Sequence, residues 1–188
     1  MPTRARERLI ETAEKLFYAE GIQAVGLERL LSVSGVGRAS FYRHFASKDD
    51  LVVTMLRGHD RAYREWLETR VRDLGGDPLA VFDALAERSD WSGYRGCAFI
   101  NAMAEIADPA SPVFRIAKEH KRAVAEFLGK CLVAAGYRDA ETLAPQLVLL
   151  IDGATVTALH ERTNQPMREA KEIARGMLRR SNDALANG

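Results

Sequence analysis

The stretch LLSVSGVGRASFYRHFASKDDL, residues 30–51, decides the fold. Leu27, Leu30 and Leu31 line one side of a short helical pattern that ends at Ser34-Gly35. Ser34-Gly35-Val36-Gly37 then leads into a second short pattern, about Arg38 to Phe45, with Phe41 and Phe45 at i, i+4. A short glycine-containing turn between two short helices is the helix-turn-helix signature, in which the second helix enters the DNA major groove. The spacing is physically consistent. Leu30, Leu31 and Phe41 can pack inward with Leu16 and Phe17, and Gly35 supplies the positive φ that a sharp turn wants. The other side of the second helix then presents Arg38, Ala39, Ser40, Tyr42, Arg43 and His44. A generic helix–glycine–helix pair is also what a solvated bundle shows, so the whole run has to carry the distinction.

Working outward, nearly every segment has helical period and none alternates like a strand. Thr3 is an N-cap candidate. Leu9, Ile10, Ala13, Leu16 and Phe17 form one apolar face, and Gly21 is a natural stop followed by Ile22. Ser47 followed by Asp50 resembles a capping box with Asp in place of Glu. A long helix should follow, from Lys48 to Leu74, ending at Gly75-Gly76. Asp77-Pro78 opens another, to about Ser89. After a loop over 90–96, Cys97 to Ala107 reads as a short helix and Ser111-Pro112 to Gly136 as a long one. Asp139 starts the next, with a possible break at Pro145, reaching about Arg162. Pro166 opens the last, and the tail from Asn182 should fray. The expectation is all-α, about nine helices: a three-helix DNA-binding domain over 1–47, then a helical bundle over 48–188.

Total charge at first argues against a nucleic-acid partner. The 188 residues hold 27 Lys+Arg and 26 Asp+Glu, a net +1. That excludes binding polyanions by gross charge and excludes an acidic solvating tail. Locally the balance differs. From Gly37 to Lys48 the bases are Arg38, Arg43 and Lys48, with no acid among them. Such groups supply affinity through phosphates, while groove-facing side chains specify sequence, and Arg38 can serve either purpose. The N-terminus lacks an apolar signal region, and the longest clean apolar run, Leu147–Ile151, is too short to span a bilayer. The expectation is a cytoplasmic protein with no membrane partner. Cys97 and Cys131 lack CxxC spacing, and no metal or cofactor motif is present.

The run 30–51 resembles the DNA-binding segment of the TetR family of transcriptional regulators. The matching residues are Gly35-Val36, Ala39-Ser40, Phe41-Tyr42, His44-Phe45 and Ser47-Lys48-Asp49-Asp50-Leu51, and Arg4 to Gly21 matches the family's first helix. The resemblance implies that Arg38, Ala39, Ser40, Tyr42, Arg43 and His44 lie on or beside the recognition helix, with Tyr42 and Lys48 on phosphate. Two positions depart from the pattern. Gly26 stands where the family often has a capping Thr or Ser that touches phosphate, and Gly37 where a capping Ser is common, and glycine supplies no hydroxyl at either. The resemblance further implies a C-terminal domain that binds a small-molecule effector, expected to be apolar or aromatic. It implies a homodimer through the last two long helices, here through Leu149, Gly153, Val156, Thr157 and Met177. The function implied is a ligand-responsive repressor that binds a palindromic operator as a dimer and is released by its effector.

Candidate effector contacts are Trp91, Cys97, Asn101, Glu105, His120 and Asp152. Each has a plainer alternative. Cys97, Asn101 and Glu105 share one polar helix face, which either meets solvent or points into a cavity. Asp152 interrupts an apolar run, where a charge is costly unless paired, so it either bonds a neighbouring helix or faces a ligand. His120 and His160 are either satisfied core histidines or pocket groups. Trp91 and Tyr94 either wall the pocket or shield the core. Two other functions remain open on the residues alone: a redox sensor using Cys97 or Cys131, and an enzyme with a cysteine nucleophile. No nucleophile elbow, phosphate loop or zinc motif supports the second, and the chain reads as a non-enzyme.

Overall fold

In a computed structural model, which describes residues 3–88 and 93–186, every regular element is helical. Among the described residues these are α1 (Thr3–Glu20), α2 (Leu27–Ser34), α3 (Arg38–His44), α4 (Lys48–Asp73), α5 (Ala80–Glu87), α6 (Ala98–Glu105), α7 (Pro112–Ala134), α8 (Ala140–Glu161) and α9 (Gln165–Ala186).

Boundaries follow local chemistry. Ser47 Oγ accepts the Asp50 N–H at 3.1 Å as predicted, while the Asp50 carboxylate reaches one residue past the expected box and accepts the Ala46 N–H at 3.0 Å. The Asp77 carboxylate accepts the Leu79 N–H at 2.7 Å, but regular helix begins only at Ala80. Ser111 Oγ caps α7 through the Phe114 N–H at 3.3 Å.

Three expectations need correcting. Pro145 does not break α8, because it lies in the helix's second turn, where little upstream helix exists for its ring to disrupt. The short helix expected over Cys97–Ala107 is trimmed at both ends to Ala98–Glu105. The backbone of α9 stays helical to Ala186, beyond the residue where fraying was expected, and residues 187–188 lie outside the described residues.

Packing divides the chain into two compact units. The first is Met1–Arg61 with Ala98–Lys118, and the second is Ala62–Cys97 with Glu119–Gly188. Helices α4 and α7 each contribute to both. Besides residues 1–47, the first unit thus takes in the first half of α4, all of α6 and the start of α7. In the first unit, α1 packs on α2 and α3 around buried Leu9, Ala13, Phe17, Leu30 and Phe41. In the second, Leu67, Phe82, Leu128, Leu132, Leu147, Met167 and Leu178 form one core. Charged ties surround that core. Arg70 grips Glu87 through two hydrogen bonds at 2.6 and 2.8 Å, and Lys171 meets Asp83 at 2.6 Å.

Helix α8 is by length and composition apolar enough to cross a membrane, which the count of its longest clean run did not foresee. One side, from Leu143 through Leu147 and Ile151 to Ala158, is buried in the second unit's core. The other side carries Leu149, 73% exposed, and Val156, 54% exposed. Leu147 and Leu149 thus differ sharply in surroundings. Leu147→Ala should lower stability by about 2–5 kcal/mol through the cavity it leaves. A drop in Tm below about 3 °C in thermal denaturation would contradict this packing.

Candidate nucleic-acid interface

Helix α2 ends because Gly35 adopts φ +62, a left-handed cap whose N–H bonds Leu31 O. Val36 donates to the same carbonyl at 3.3 Å and is buried. Gly37 is the extended N-cap of α3, and its carbonyl accepts from Ser40 and Phe41 at 2.9 and 3.0 Å. Gly26 caps α2 in the same way. Neither supplies a side-chain hydroxyl. Helix α3 is too short to stand alone. Phe41 is wholly buried and stacks on Phe45 with ring centroids 5.8 Å apart. That anchoring turns Arg38, Ala39, Tyr42 and Arg43 outward, with Ser40 and His44 half-buried.

The charges of this head are not all at its surface. Arg38 forms an ion pair with Glu28 of α2. The Lys48 ammonium is half-buried and donates to Ile22 O at 2.5 Å, with the Phe17 ring beneath it at 5.7 Å. Burial pushes Lys48 below the ordinary lysine range, opposed by nearby Asp49 and Glu105. Lys48 thus holds the α1–α2 loop, a role that sequence alone did not suggest. Arg43 is exposed and makes no ion pair with a described residue. Around the edge, Arg8 donates to Gly35 O at 3.4 Å and Arg6 lies over the Phe45 ring at 5.5 Å.

The same loop is gripped from α6. The Glu105 carboxylate accepts the Gln23 N–H at 2.8 Å. Gly21 has φ +97, a conformation that strains any side chain, and a Cβ there would also crowd Glu105 Oε2 at 3.0 Å. Lys48, Gly21 and Glu105 form one device, built from residues far apart in sequence.

Three effector candidates lie around Tyr63: its ring meets His120, and Cys97 and Asp152 both act on its phenol. Asn101 and Glu105 belong to the first unit, whereas Cys97, His120 and Asp152 belong to the second. Trp91 lies outside the described residues. Glu105 is committed to the loop rather than to a cavity. Asp152 pairs with Lys121 of α7, the neighbouring-helix alternative. His120 is buried with its ring against Tyr63, centroids 5.1 Å apart. Burial pushes the Tyr63 phenol above its usual range, with Cys97 adding to the rise. Arg88 lies over both Tyr63 and Trp66, at 5.0 and 4.7 Å. Sequence reading missed Tyr63, Trp66 and Arg88 as a group because helical periodicity makes the two aromatics look like plain core. Elsewhere in this unit, a cleft of about 390 Å³ is lined by Leu74, Phe82, Asp83, Ala86, Glu87, Met167 and Arg168, none of them a candidate. Burial raises the Cys131 thiol, which disfavours a reactive thiolate there. His160 is exposed, with Nδ1 3.1 Å from Thr157 O. Among the described residues no cluster of three or more His, Cys, Asp or Glu could hold a metal.

On α8, Leu149, Gly153 and Val156 follow i, i+4, i+7 spacing and are all exposed. Thr157 is half-buried and donates to Gly153 O at 3.0 Å. Met177 packs against the core of its own unit, while Ile173 of α9 is 57% exposed.

Comparison with known proteins accounts for both parts of the chain. Residues 9–55 match the model of bacterial regulatory proteins of the tetR family. Residues 79–173 match the C-terminal domain of LmrA/YxaF-like transcriptional regulators. The chain belongs to the TetR family. A TetR-family regulator from Streptomyces coelicolor has a similar structure, with 35% identity, 95% of this chain and 96% of that one covered, and a TM-score of 0.83. The reduced form of Escherichia coli NemR is similar at 26% identity and TM-score 0.78, covering 92% and 96%. In sequence, the E. coli regulator YjdC is 25% identical over 93% of each chain. As a TetR-family member, this protein is a DNA-binding transcriptional regulator built on a helix-turn-helix.

Two outcomes test the local geometry. Gly37 has ordinary extended φ, and a Cβ added there would meet only open space, so Gly37→Ser should raise stability by about 0.5–1 kcal/mol in chemical denaturation. A loss of stability would mean that the turn needs glycine after all. Glu105→Ala should speed amide hydrogen exchange at Gln23 on the order of tenfold, since a charge-assisted bond is lost. Unchanged exchange at Gln23 would remove Glu105 from the loop-holding device.

Proposed function

We propose that this regulator is a cytoplasmic repressor that binds a palindromic operator as a homodimer and is released by a small-molecule effector. The observation that carries the dimer is the two-sided apolarity of α8. A helix exposed on one side is normally polar there, yet Leu149 and Val156 lie in the open, with Gly153 between them permitting close approach. A second copy covering that stripe by two-fold symmetry would account for it, together with Ile173 of α9. Two-fold symmetry is also what a palindrome reader needs, its recognition helices falling in major grooves about 34–36 Å apart or a multiple of that. The relatives include repressors by name, NemR of E. coli and KstR2 of Mycobacterium tuberculosis, which supports repression as the sign.

In this reading Arg38, Ala39, Ser40, Tyr42, Arg43 and His44 meet the duplex, with Arg43 the most available cation. Lys48 reaches phosphate only if its ammonium spares a donor from Ile22 O. The effector, apolar or aromatic, lies near Tyr63, Trp66, Arg88 and His120, where rings and a guanidinium are already assembled. Its binding must favour one conformation over another, or nothing shifts. Helix α4 belongs to both units, and α6 ends on the Glu105 hook, so both are placed to carry that shift. The chain acts as a regulator and not as an enzyme.

The test joins assembly to binding. Leu149→Arg with Val156→Glu should turn the dimer into a monomer by native mass spectrometry. It should also weaken operator binding at least about tenfold in footprinting, because half-sites are then bound singly. A variant that stays dimeric and binds normally would place the dimer face elsewhere. Wild-type protein found as a monomer at micromolar concentration would remove the proposal.

A further inference from the structure

The recognition helix opens on a cation that is already occupied. Arg38 is the first residue of α3, at the positive end of the helix dipole, where a guanidinium is electrostatically disfavoured. Glu28, in the first turn of α2, pairs with it. Both side chains are exposed, 57% for Arg38 and 74% for Glu28, so the pair sits at the surface rather than in the core. Of the other two cations in the acid-free stretch, Lys48 is turned onto Ile22 O. In the DNA-free protein the head therefore offers Arg43 openly and holds the remaining two.

We propose that Glu28 is a built-in competitor for DNA at Arg38. The contact runs from Arg38 Nη2 to Glu28 Oε1, so a carboxylate oxygen stands where a phosphate oxygen or guanine O6 would accept from the guanidinium. Glu28 thus occupies Arg38 with the chemistry of the ligand that Arg38 would bind. DNA must displace this carboxylate and then tolerate its charge beside the phosphates. Exposed ion pairs are weak, so the exchange is easy, but it opposes every encounter by a fixed factor. Glu28 lowers the affinity of the head for DNA, and Arg38 engages only a duplex that seats closely enough to replace it. This rests on the reading that Arg38 contacts DNA.

The experiment is a double-mutant cycle on the full chain: wild type, Glu28→Gln, Arg38→Ala and the double variant. The probe is a duplex selected from a random pool by the purified protein, with binding read by fluorescence anisotropy and folding checked by thermal denaturation. Glu28→Gln should tighten binding roughly two- to fivefold. In the Arg38→Ala background the same change should give less than half that gain, since only the long-range field of the carboxylate remains to be removed. No tightening by Glu28→Gln, or an equal gain in both backgrounds, overturns the competition. Arg38→Ala binding as tightly as wild type overturns instead the reading of Arg38 as a DNA contact, and the competition with it.

Discussion

The burial of Phe41 is the constraint on which the reading head depends. Helix α3 has seven residues, far below the length at which a helix holds itself in water. Its dihedral angles are kept by tertiary packing, with Phe41 wholly buried and Phe45 almost so. Everything that α3 presents outward is aimed by what these two rings do inward. Gly35 matters for the same reason. Its left-handed cap sets the angle at which the chain leaves α2, and Val36, buried directly after it, pins that exit.

A second layer of constraint acts on the loop between α1 and α2. Lys48 and Glu105 hold the carbonyl and the N–H of one peptide group of that loop, between Ile22 and Gln23, one from the start of α4 and one from the end of α6. Neither bond is large on its own. Together they tie the first turn of α4 and the last turn of α6 to the helix-turn-helix, so movement of either would be felt at the loop. This ties α6 to the helix-turn-helix, whereas its sequence alone left its polar face open to either solvent or an effector cavity.

What could be read from the sequence was local. Periodicity, cap residues and turn glycines act within a few positions, and they located α1 to α4, the stop at Gly35 and the run of outward side chains on α3. What could not be read was long-range. Glu28 and Arg38 lie ten positions apart on different helices, and Gln23 and Glu105 eighty-two apart, with no pattern linking either pair. An acid-free stretch along the chain was read as a basic patch, but folding returned a carboxylate to it from α2. Asp152 was legible in kind, since a charge in an apolar helix needs a partner, but which helix would supply Lys121 was not. Pro145 misled because a proline's effect depends on how much helix precedes it.

The two glycine caps have a wider consequence. Gly26 and Gly37 both stand in extended conformations open to any amino acid, with nothing near enough to exclude a side chain. Neither is demanded by the backbone. The helices that read DNA therefore begin at positions where sequence drift is nearly free of structural penalty. If these caps face DNA as proposed, a new hydroxyl or a larger group at either position would meet the duplex without moving the scaffold. On that reading operator preference can change in single steps, while the aromatic anchor beneath stays as it is.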